Sequence, residues 1–290
     1  MLIGLFKTMR PRQWTKNGFV FAALFFDSKL DDLTSILQTL AAFLLLCLMS
    51  SAVYIMNDLA DIDSDRQHPT KRKRPLPSGQ LSPVVARAAA ILFAGGSLAA
   101  GYWLAPPFGW ILFAYLIIQI GYTFRLKHVV LIDVCIIAAG FVLRIAAGVS
   151  VIEVQRFSPW LYVFGGFLAL FMALGKRRQE LILLGVNAGN HRAILDEYNL
   201  ELIDRMLGIV TTSAIASYSL YTFLAEGLPP NHLMMLTIPF VIYGIFRYLY
   251  LIHVKGEGGA PEEILLRDRP FQVTLLLYAA VAFVALYIPL

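Results

Sequence analysis

The sequence has few charged residues and few cysteines, and both shortages restrict what the protein can be. Charged residues make up 15% of its 290 residues, whereas 58% are hydrophobic. A soluble domain of this size is charged at about a quarter of its positions, so this composition excludes an ordinary water-soluble fold. Cys47 and Cys135 lie alone in separate apolar runs, which argues against a disulfide framework or a thiolate metal site. The five histidines are scattered without metal-ligand spacing, so no zinc site is indicated.

Apolar runs of membrane-spanning length recur along the chain. An α-helix needs about 20 apolar residues to cross the hydrocarbon core, and the alternating pattern of a membrane β-barrel is absent from the sequence. The runs predict an all-α polytopic membrane protein with nine transmembrane helices, forming one membrane domain over residues 1–290. The predicted spans are 17–26, 33–56, 83–104, 108–124, 129–151, 159–175, 203–224, 233–253 and 271–290.

Lysine and arginine are concentrated on alternate connections between these spans. Nearly all loop lysines and arginines fall in 1–16, 57–82, 125–128, 176–202 and 254–270. The other connections contain only Lys29 and Arg156. Because basic residues beside spans are retained on the cytoplasmic side, we expect the N-terminus and the basic loops to be cytoplasmic in an inner or plasma membrane. The same rule accounts for the net charge of +5 without a nucleic-acid partner.

The most polar stretch, residues 57–66, contains four aspartates and precedes the basic run 71–74. If the stretch is helical, Asp58, Asp61 and Asp65 share one face because they are spaced at i, i+3 and i+7. Carboxylates on one face repel one another unless a cation lies between them. Hard oxygen ligands suit Mg²⁺ that is bound together with phosphate oxygens. The alternative interpretation is a solvated, negatively charged helix end.

A second polar loop, residues 176–202, begins with Lys176, Arg177 and Glu180 at helical spacing. The simplest interpretation is a surface Lys–Glu pair. The two loops could also face each other and combine carboxylates for Mg²⁺ with fixed cations. That combination is suited to holding a diphosphate and stabilising it as it leaves.

These motifs resemble a known family. Asn57-Asp58-x-x-Asp61-x-x-x-Asp65, followed by a Lys/Arg-Pro loop, is similar to the first Asp-rich motif of the UbiA intramembrane prenyltransferase superfamily. That superfamily also has nine spans. Four segments resemble its decaprenyl-phosphate phosphoribosyltransferase branch, namely 10–17, 68–72, 126–128 and 175–181.

The resemblance implies a UbiA-like bundle with cytoplasmic active-site loops. It also implies transfer of 5-phosphoribose from phosphoribosyl diphosphate to a decaprenyl-type polyprenyl phosphate, with release of diphosphate. Members that transfer a prenyl group have a second Asp-rich motif where this chain has the cationic segment 176–180, and the added positive charge suits the extra phosphate of a phosphoribosyl donor. An aromatic prenyltransferase that uses a prenyl diphosphate is the alternative. A more remote one is an anion transporter that uses intramembrane Arg144 and Arg247.

The resemblance also suggests roles for individual residues. The expected Mg²⁺ ligands are Asn57, Asp58, Asp61 and Asp65. The candidate catalytic residues are Asp58, Asp61, Lys176 and Glu180. The candidate substrate contacts are Lys16, Asn57, Lys71, Arg72, Arg74, Tyr122, Lys127, Lys176 and Arg177. The attacking oxygen would belong to the lipid phosphate, whose second pKa is about 6. Because this group is already an anion at neutral pH, a strong general base is not required. The expected partners are the two substrates and the membrane, and a homo-oligomer is left open.

Overall fold

The computed structural model describes residues 1–68, 70–154, 157–184, 193–257, 264 and 267–288. Within these residues the chain is helical and contains no β-strand, which confirms the predicted all-α class. The α-helices are α1 (Leu2–Thr8), α2 (Ala22–Phe26), α3 (Leu33–Ala60), α4 (Ile62–Gln67), α5 (Pro83–Leu104), α6 (Pro106–Phe124), α7 (Ile132–Val151), α8 (Pro159–Leu184), α9 (Leu200–Leu224), α10 (Ile238–Tyr250) and α11 (Arg269–Tyr287). Shorter 3₁₀ segments lie at Pro11–Phe21, Lys71–Lys73, Leu126–His128, Ala193–Glu197 and Leu233–Thr237, and a π-helical turn at Leu251–Lys255.

Over the described residues, eight helical segments are long and apolar enough to cross a membrane, so the chain is a multi-pass membrane protein. They coincide with eight of the nine predicted spans. The predicted first span, 17–26, is instead the end of the 3₁₀ helix Pro11–Phe21 followed by the short helix α2. Arg156 and parts of the predicted segments 68–72, 176–202, 254–270 and 271–290 lie outside the described residues.

The segment Pro11–Phe26 nevertheless has the length of a span. A 3₁₀ helix rises about 2.0 Å per residue and an α-helix about 1.5 Å. Its 11 residues of 3₁₀ helix and 5 residues of α-helix therefore extend over about 30 Å, the thickness of the hydrocarbon core. A total of nine spans remains a prediction.

The chain divides into two compact units. The first unit consists of Met1–Phe25, Lys29–Lys127 and Leu143–Glu153, and the second of Phe26–Ser28, His128–Val142 and Val154–Leu290. One membrane domain over residues 1–290 is still a prediction.

In the first unit, the 3₁₀ helix Pro11–Phe21 presents one face to its neighbours at every third residue. Three residues per turn align Trp14, Asn17 and Val20. The Trp14 indole Nε1 donates to Ser51 Oγ at 3.1 Å, and Val20 is fully buried. A Cβ placed on Gly148 of α7 would lie 1.9 Å from the Val20 carbonyl oxygen, so only glycine permits this approach.

In the second unit, the core lies among α8, α9 and α10. Phe171 and Leu174 of α8, Leu207 of α9, Tyr248 of α10 and the following Ile252 are buried in one apolar cluster. This packing anchors the C-terminal half of α8, where the charged residues 176–180 begin. The scaffold beneath that charged segment is therefore apolar and closely packed.

Candidate active site

The aspartate stretch does not form one continuous helix. Helix α3 ends at Ala60, Asp61 adopts φ −97° and ψ 8°, and α4 begins at Ile62. One continuous helix, which was the condition for placing the three aspartates on a single face, is therefore not present at Asp61. The Asp61 carbonyl accepts both the Ser64 hydroxyl at 2.9 Å and the Asp65 amide at 2.8 Å.

Asp58 and Asp65 are still brought together, because one arginine binds both. Arg74 NH1 lies 3.2 Å from Asp58 Oδ1 and 2.7 Å from Asp65 Oδ2. Both aspartates are 2% exposed. Lys71 Nζ lies 3.7 Å from Asp65 Oδ1, and Arg10 NH2 lies 2.5 Å from Asp58 Oδ1. The first unit thus contains a buried carboxylate pair held by three basic side chains, which we call the Asp58–Asp65 cluster.

An apolar anchor fixes the loop that carries Arg74. Leu76 and Leu81, which follow it in the chain, are buried against Ile55 of α3. The Leu81 amide donates to the Pro75 carbonyl at 3.0 Å, which closes the turn between the two leucines. Gly79 within this turn has φ +79°, a conformation that glycine adopts without a steric penalty. The loop therefore holds Arg74 over the end of α3.

Asp61 has a different partner. Lys127 Nζ donates to its two carboxylate oxygens at 3.0 and 3.4 Å. In the part of the chain that the structure describes, no group of three or more His, Cys, Asp or Glu side chains is arranged to hold a metal ion. The structure thus joins Asp58 with Asp65 and holds Asp61 with Lys127, and the full set of Mg²⁺ ligands remains a prediction.

The donor chemistry of the Asp58–Asp65 cluster fits a divalent cation. The Arg74 guanidinium contacts both carboxylates through NH1, so the two aspartates already share one positively charged partner and could hold a divalent cation. Carboxylate oxygens are the hard ligands that Mg²⁺ prefers. Binding of Mg²⁺ would require at least one of the basic side chains on these carboxylates to release its contact.

Arg10 is a site residue that the sequence reasoning did not include. Its backbone is left-handed, with φ 54° and ψ 61°, a conformation that non-glycine residues rarely adopt. Its guanidinium lies 5.0 Å from the centre of the Tyr54 ring in addition to its contact with Asp58. The one signal in the sequence was its position in the N-terminal segment 10–17 that resembles the phosphoribosyltransferase branch.

The remaining predicted residues of the first unit occupy varied environments. Lys16 is half-buried on the 3₁₀ helix, and Asn57 is half-buried in the last turn of α3. Tyr122 is half-buried near the end of α6, and Arg72 is exposed. Their roles as substrate contacts stay predictions.

In the second unit, Lys176 and Arg177 differ sharply although they are adjacent. Lys176 is exposed, whereas Arg177 is 2% exposed. Arg177 Nε donates to Asp133 Oδ2 at 2.8 Å, and its NH1 donates to Glu180 Oε2 at 2.5 Å. Because two carboxylates occupy this guanidinium, the structure favours a positioning role for Arg177 over the predicted phosphate contact. Of these two adjacent residues, Lys176 is the one whose side chain is exposed.

Asp133 and Tyr198 complete the surroundings of Arg177. Asp133 is fully buried, and the Tyr198 hydroxyl donates to its Oδ1 at 2.7 Å while accepting from the Leu131 amide at 2.8 Å. Burial, reinforced by the hydrogen bond to Asp133, raises the pKa of Tyr198 to about 12. The phenol thus remains a donor. Sequence reasoning missed this network because Asp133 lies more than 40 residues before both Arg177 and Tyr198 in the chain.

The chain is similar to a family model and to named proteins over most of its length. A family model described as the UbiA prenyltransferase family matches residues 18–260. A decaprenyl-phosphate phosphoribosyltransferase of Mycobacterium tuberculosis is 33% identical over 292 residues, which cover 98% of this chain and 96% of that protein. A decaprenyl-phosphate phosphoribosyltransferase of Mycolicibacterium smegmatis is 33% identical in an alignment of 302 residues, gaps included, that covers 99% of this chain and 93% of that protein.

Solved structures share the fold. A UbiA homologue from Archaeoglobus fulgidus bound to DMAPP and Mg²⁺ superimposes with a TM-score of 0.74 at 21% identity, covering 98% of this chain and 99% of that one. A digeranylgeranylglyceryl phosphate synthase superimposes with a TM-score of 0.68 at 16% identity, covering 98% of each chain. The fold, the Asp-rich motif and the family model agree, and the chain belongs to the UbiA prenyltransferase family.

Proposed function

We propose that the protein transfers 5-phosphoribose from phosphoribosyl diphosphate to a decaprenyl-type polyprenyl phosphate and releases diphosphate. The reaction would take place at the cytoplasmic face of the inner membrane, where the basic loops are expected. The proposal is supported by relatives named decaprenyl-phosphate phosphoribosyltransferase, which are 33% identical to this chain over nearly their full length.

The Asp58–Asp65 cluster is the structural observation that carries the proposal. It combines two buried carboxylates with Arg10, Arg74 and Lys71. Arginine forms bidentate contacts with phosphate oxygens, while lysine acts as a point charge. A donor that has both a diphosphate and a 5-phosphate, the latter with a charge of about −1.5 to −2 at neutral pH, would use such a concentration of cations.

The proposed chemistry breaks the bond between ribose C1 and the diphosphate oxygen and forms a bond from C1 to an oxygen of the lipid phosphate. Asp58, Asp61 and Asp65, with Asn57, would hold Mg²⁺, which when bound neutralises charge on the leaving diphosphate. Arg74 and Lys71 would bind phosphate oxygens and stabilise the same charge.

Further proposed contacts extend these roles. Lys127, released from Asp61 when that carboxylate binds metal, would provide another ammonium for phosphate. Lys16, Arg72 and Tyr122 are proposed to contact the phosphates of the two substrates. In the second unit, Lys176 is proposed to bind a phosphate, and Glu180, oriented by Arg177, to bind a ribose hydroxyl.

The transporter alternative is weakened by the surroundings of the intramembrane arginines. Arg144 Nε donates to Asn17 Oδ1 at 2.8 Å, and its NH2 donates to the Tyr115 hydroxyl at 3.0 Å. Arg247 forms two hydrogen bonds with Asp268 at 3.1 and 2.8 Å. Both guanidinium groups therefore take part in structural hydrogen bonds, and this observation favours a packing role over solute binding.

A transfer assay tests the proposed function. Purified protein in nanodiscs is incubated with labelled phosphoribosyl diphosphate and polyprenyl phosphate, and separately with a labelled prenyl diphosphate and an aromatic acceptor. We expect labelled phosphoribosyl lipid only in the first reaction, and only with Mg²⁺.

A matched control uses Arg205→Gln. Arg205 and Glu201 form a surface pair with both side chains 74% exposed, so this variant should retain full activity. A folded protein that makes no phosphoribosyl lipid would overturn the proposal, and prenylation of the aromatic acceptor would support the alternative.

A further inference from the structure

The pairing of Arg10 with Asp58 has the properties of an exchangeable contact. Asp58 Oδ1 is bound by two guanidinium groups, Arg10 NH2 at 2.5 Å and Arg74 NH1 at 3.2 Å. Arg74 is also bound to Asp65 and lies on the anchored loop. The side chains of Arg10 and Arg74 are similarly exposed, at 29% and 32%, so what distinguishes Arg10 is its place at the boundary between α1 and the 3₁₀ helix, outside the anchored loop. Of these two cations, Arg10 is therefore the one that is better placed to leave Asp58 for an incoming anion.

The backbone of Arg10 is left-handed, as it is at Ser28, Leu131 and His232 among the described residues, so this conformation is compatible with a functional role and does not by itself indicate one. A left-handed conformation at φ 54° is unfavourable for an arginine, and such conformations cluster at functional sites. The contact with Asp58 and the approach to the Tyr54 ring hold the guanidinium at the edge of the cluster. Both the backbone and the side chain thus present this cation to the buried carboxylate.

The charge of the cluster disfavours a metal ion that arrives alone. The ion pairs described above place Arg10, Arg74 and Lys71 against Asp58 and Asp65, so cations already exceed carboxylates by one. Adding Mg²⁺ without an anion would bring two further positive charges close to these groups. A diphosphate that arrives with the metal removes this cost, because its oxygens offer new partners to the cations that leave the carboxylates.

We propose that Arg10 is a donor-binding residue that exchanges Asp58 for the diphosphate, so that the metal ion and the diphosphate bind to this site in a coupled manner. In the absence of donor, Arg10 shares Asp58 Oδ1 with Arg74 and competes with a metal ion for that carboxylate. When the metal and the diphosphate enter together, Asp58 binds the metal and Arg10 binds a diphosphate oxygen. The identity of the complete donor rests on the proposed function, whereas the exchange requires only its diphosphate group.

Metal binding without catalysis tests the exchange. Mn²⁺ serves as a paramagnetic substitute for Mg²⁺, and its free concentration is measured by electron paramagnetic resonance with wild-type protein and Arg10→Gln, each with and without inorganic diphosphate. Because the Arg10 guanidinium competes with the ion for Asp58 Oδ1 and repels it electrostatically, we expect Arg10→Gln to bind Mn²⁺ alone about tenfold more tightly than the wild type.

Inorganic diphosphate should increase the affinity of the wild type for Mn²⁺. The same addition should increase the Mn²⁺ affinity of Arg10→Gln far less. Arg12→Gln is the matched control, because Arg12 is exposed on the same segment, and it should behave as the wild type. Arg10→Lys retains the charge and should keep the weak binding of Mn²⁺ alone. Circular dichroism confirms that each variant is folded.

The outcomes separate this inference from the proposed function. Equal Mn²⁺ affinity in Arg10→Gln and the wild type, or an undiminished effect of diphosphate in Arg10→Gln, would overturn the exchange. If the expected coupling is observed but no phosphoribosyl lipid is formed, the exchange stands and the proposed donor is wrong. If the lipid is formed and the coupling is absent, the proposed function stands and Arg10 has another role.

Discussion

The buried ion pair between Asp133 and Arg177 leads to a quantitative prediction for Asp133→Ala. The two side chains are 0% and 2% exposed. The substitution removes the acceptor for Arg177 Nε at 2.8 Å and for the Tyr198 hydroxyl at 2.7 Å. It therefore leaves one buried cation and one buried hydroxyl without their shared partner.

The size of the effect follows from what remains after the substitution. Removing one member of a buried ion pair costs about 3–5 kcal/mol, because the other charge stays buried without compensation. Arg177 keeps its contact with Glu180, and Tyr198 keeps the Leu131 amide. We therefore expect the lower end of the range, a loss of about 3 kcal/mol in the free energy of unfolding.

Unfolding by sodium dodecyl sulfate in mixed micelles, followed by circular dichroism, measures this change. The double variant Asp133→Leu/Arg177→Met replaces the pair with apolar groups and should recover most of the loss, since such replacements are often neutral or stabilising. Arg205→Ala, at an exposed surface pair, is the control and should stay within about 0.5 kcal/mol of the wild type. An Asp133→Ala variant as stable as that control would refute the reasoning.

The remaining predictions concern the site and the packing of the first unit. Asp58→Ala or Asp61→Ala should abolish phosphoribosyl transfer while circular dichroism shows a folded protein, because each removes a proposed metal ligand. Lys176→Ala should raise the KM for phosphoribosyl diphosphate by about tenfold with little change in kcat, since a charge-assisted hydrogen bond contributes about 1.5–3 kcal/mol and this exposed ammonium is proposed to bind the donor. Gly148→Ala should lower the free energy of unfolding by about 1–3 kcal/mol through overpacking, measured by detergent titration, because its Cβ would lie 1.9 Å from the Val20 carbonyl oxygen.

Each of these predictions has a matched control in the chain. The Asp63 side chain is 85% exposed, so Asp63→Ala should retain full phosphoribosyl transfer activity. Unchanged activity in Asp58→Ala would reject the assignment of Asp58 as a metal ligand. Lys73→Ala, at an exposed position, should leave the KM unaltered, and a normal KM in Lys176→Ala would count against donor binding there. Gly96→Ala adds a Cβ with no atom within 4 Å and should be neutral. If Gly148→Ala is as stable as the wild type, that result would contradict the close approach of Gly148 to Val20.

Much of the site's chemistry could be predicted from local sequence, whereas its pairings could not. The spacing of Asp58, Asp61 and Asp65 indicated a carboxylate cluster near basic residues, and Lys71 and Arg74 do lie against it. The helical periodicity behind that argument failed at Asp61, because a helix break depends on local hydrogen bonding that residue spacing does not report. Asp58 and Asp65 meet through Arg74, which the packing of Leu76 and Leu81 holds in place.

The membrane class follows from composition, because runs of about 20 apolar residues with few charges have few stable arrangements other than helices within a bilayer. The family follows from the Asp-rich motif, since the types and spacing of its polar residues are local properties of the chain. Which cation neutralises which carboxylate depends on distant segments that come together on folding. Arg10 reaches Asp58 across 48 residues, and Arg177 is buried beside Asp133 while its neighbour Lys176 remains exposed. Adjacent lysine and arginine look equivalent in the sequence, and only their different burial in the folded chain engages Arg177 in a buried ion pair and leaves Lys176 at the surface.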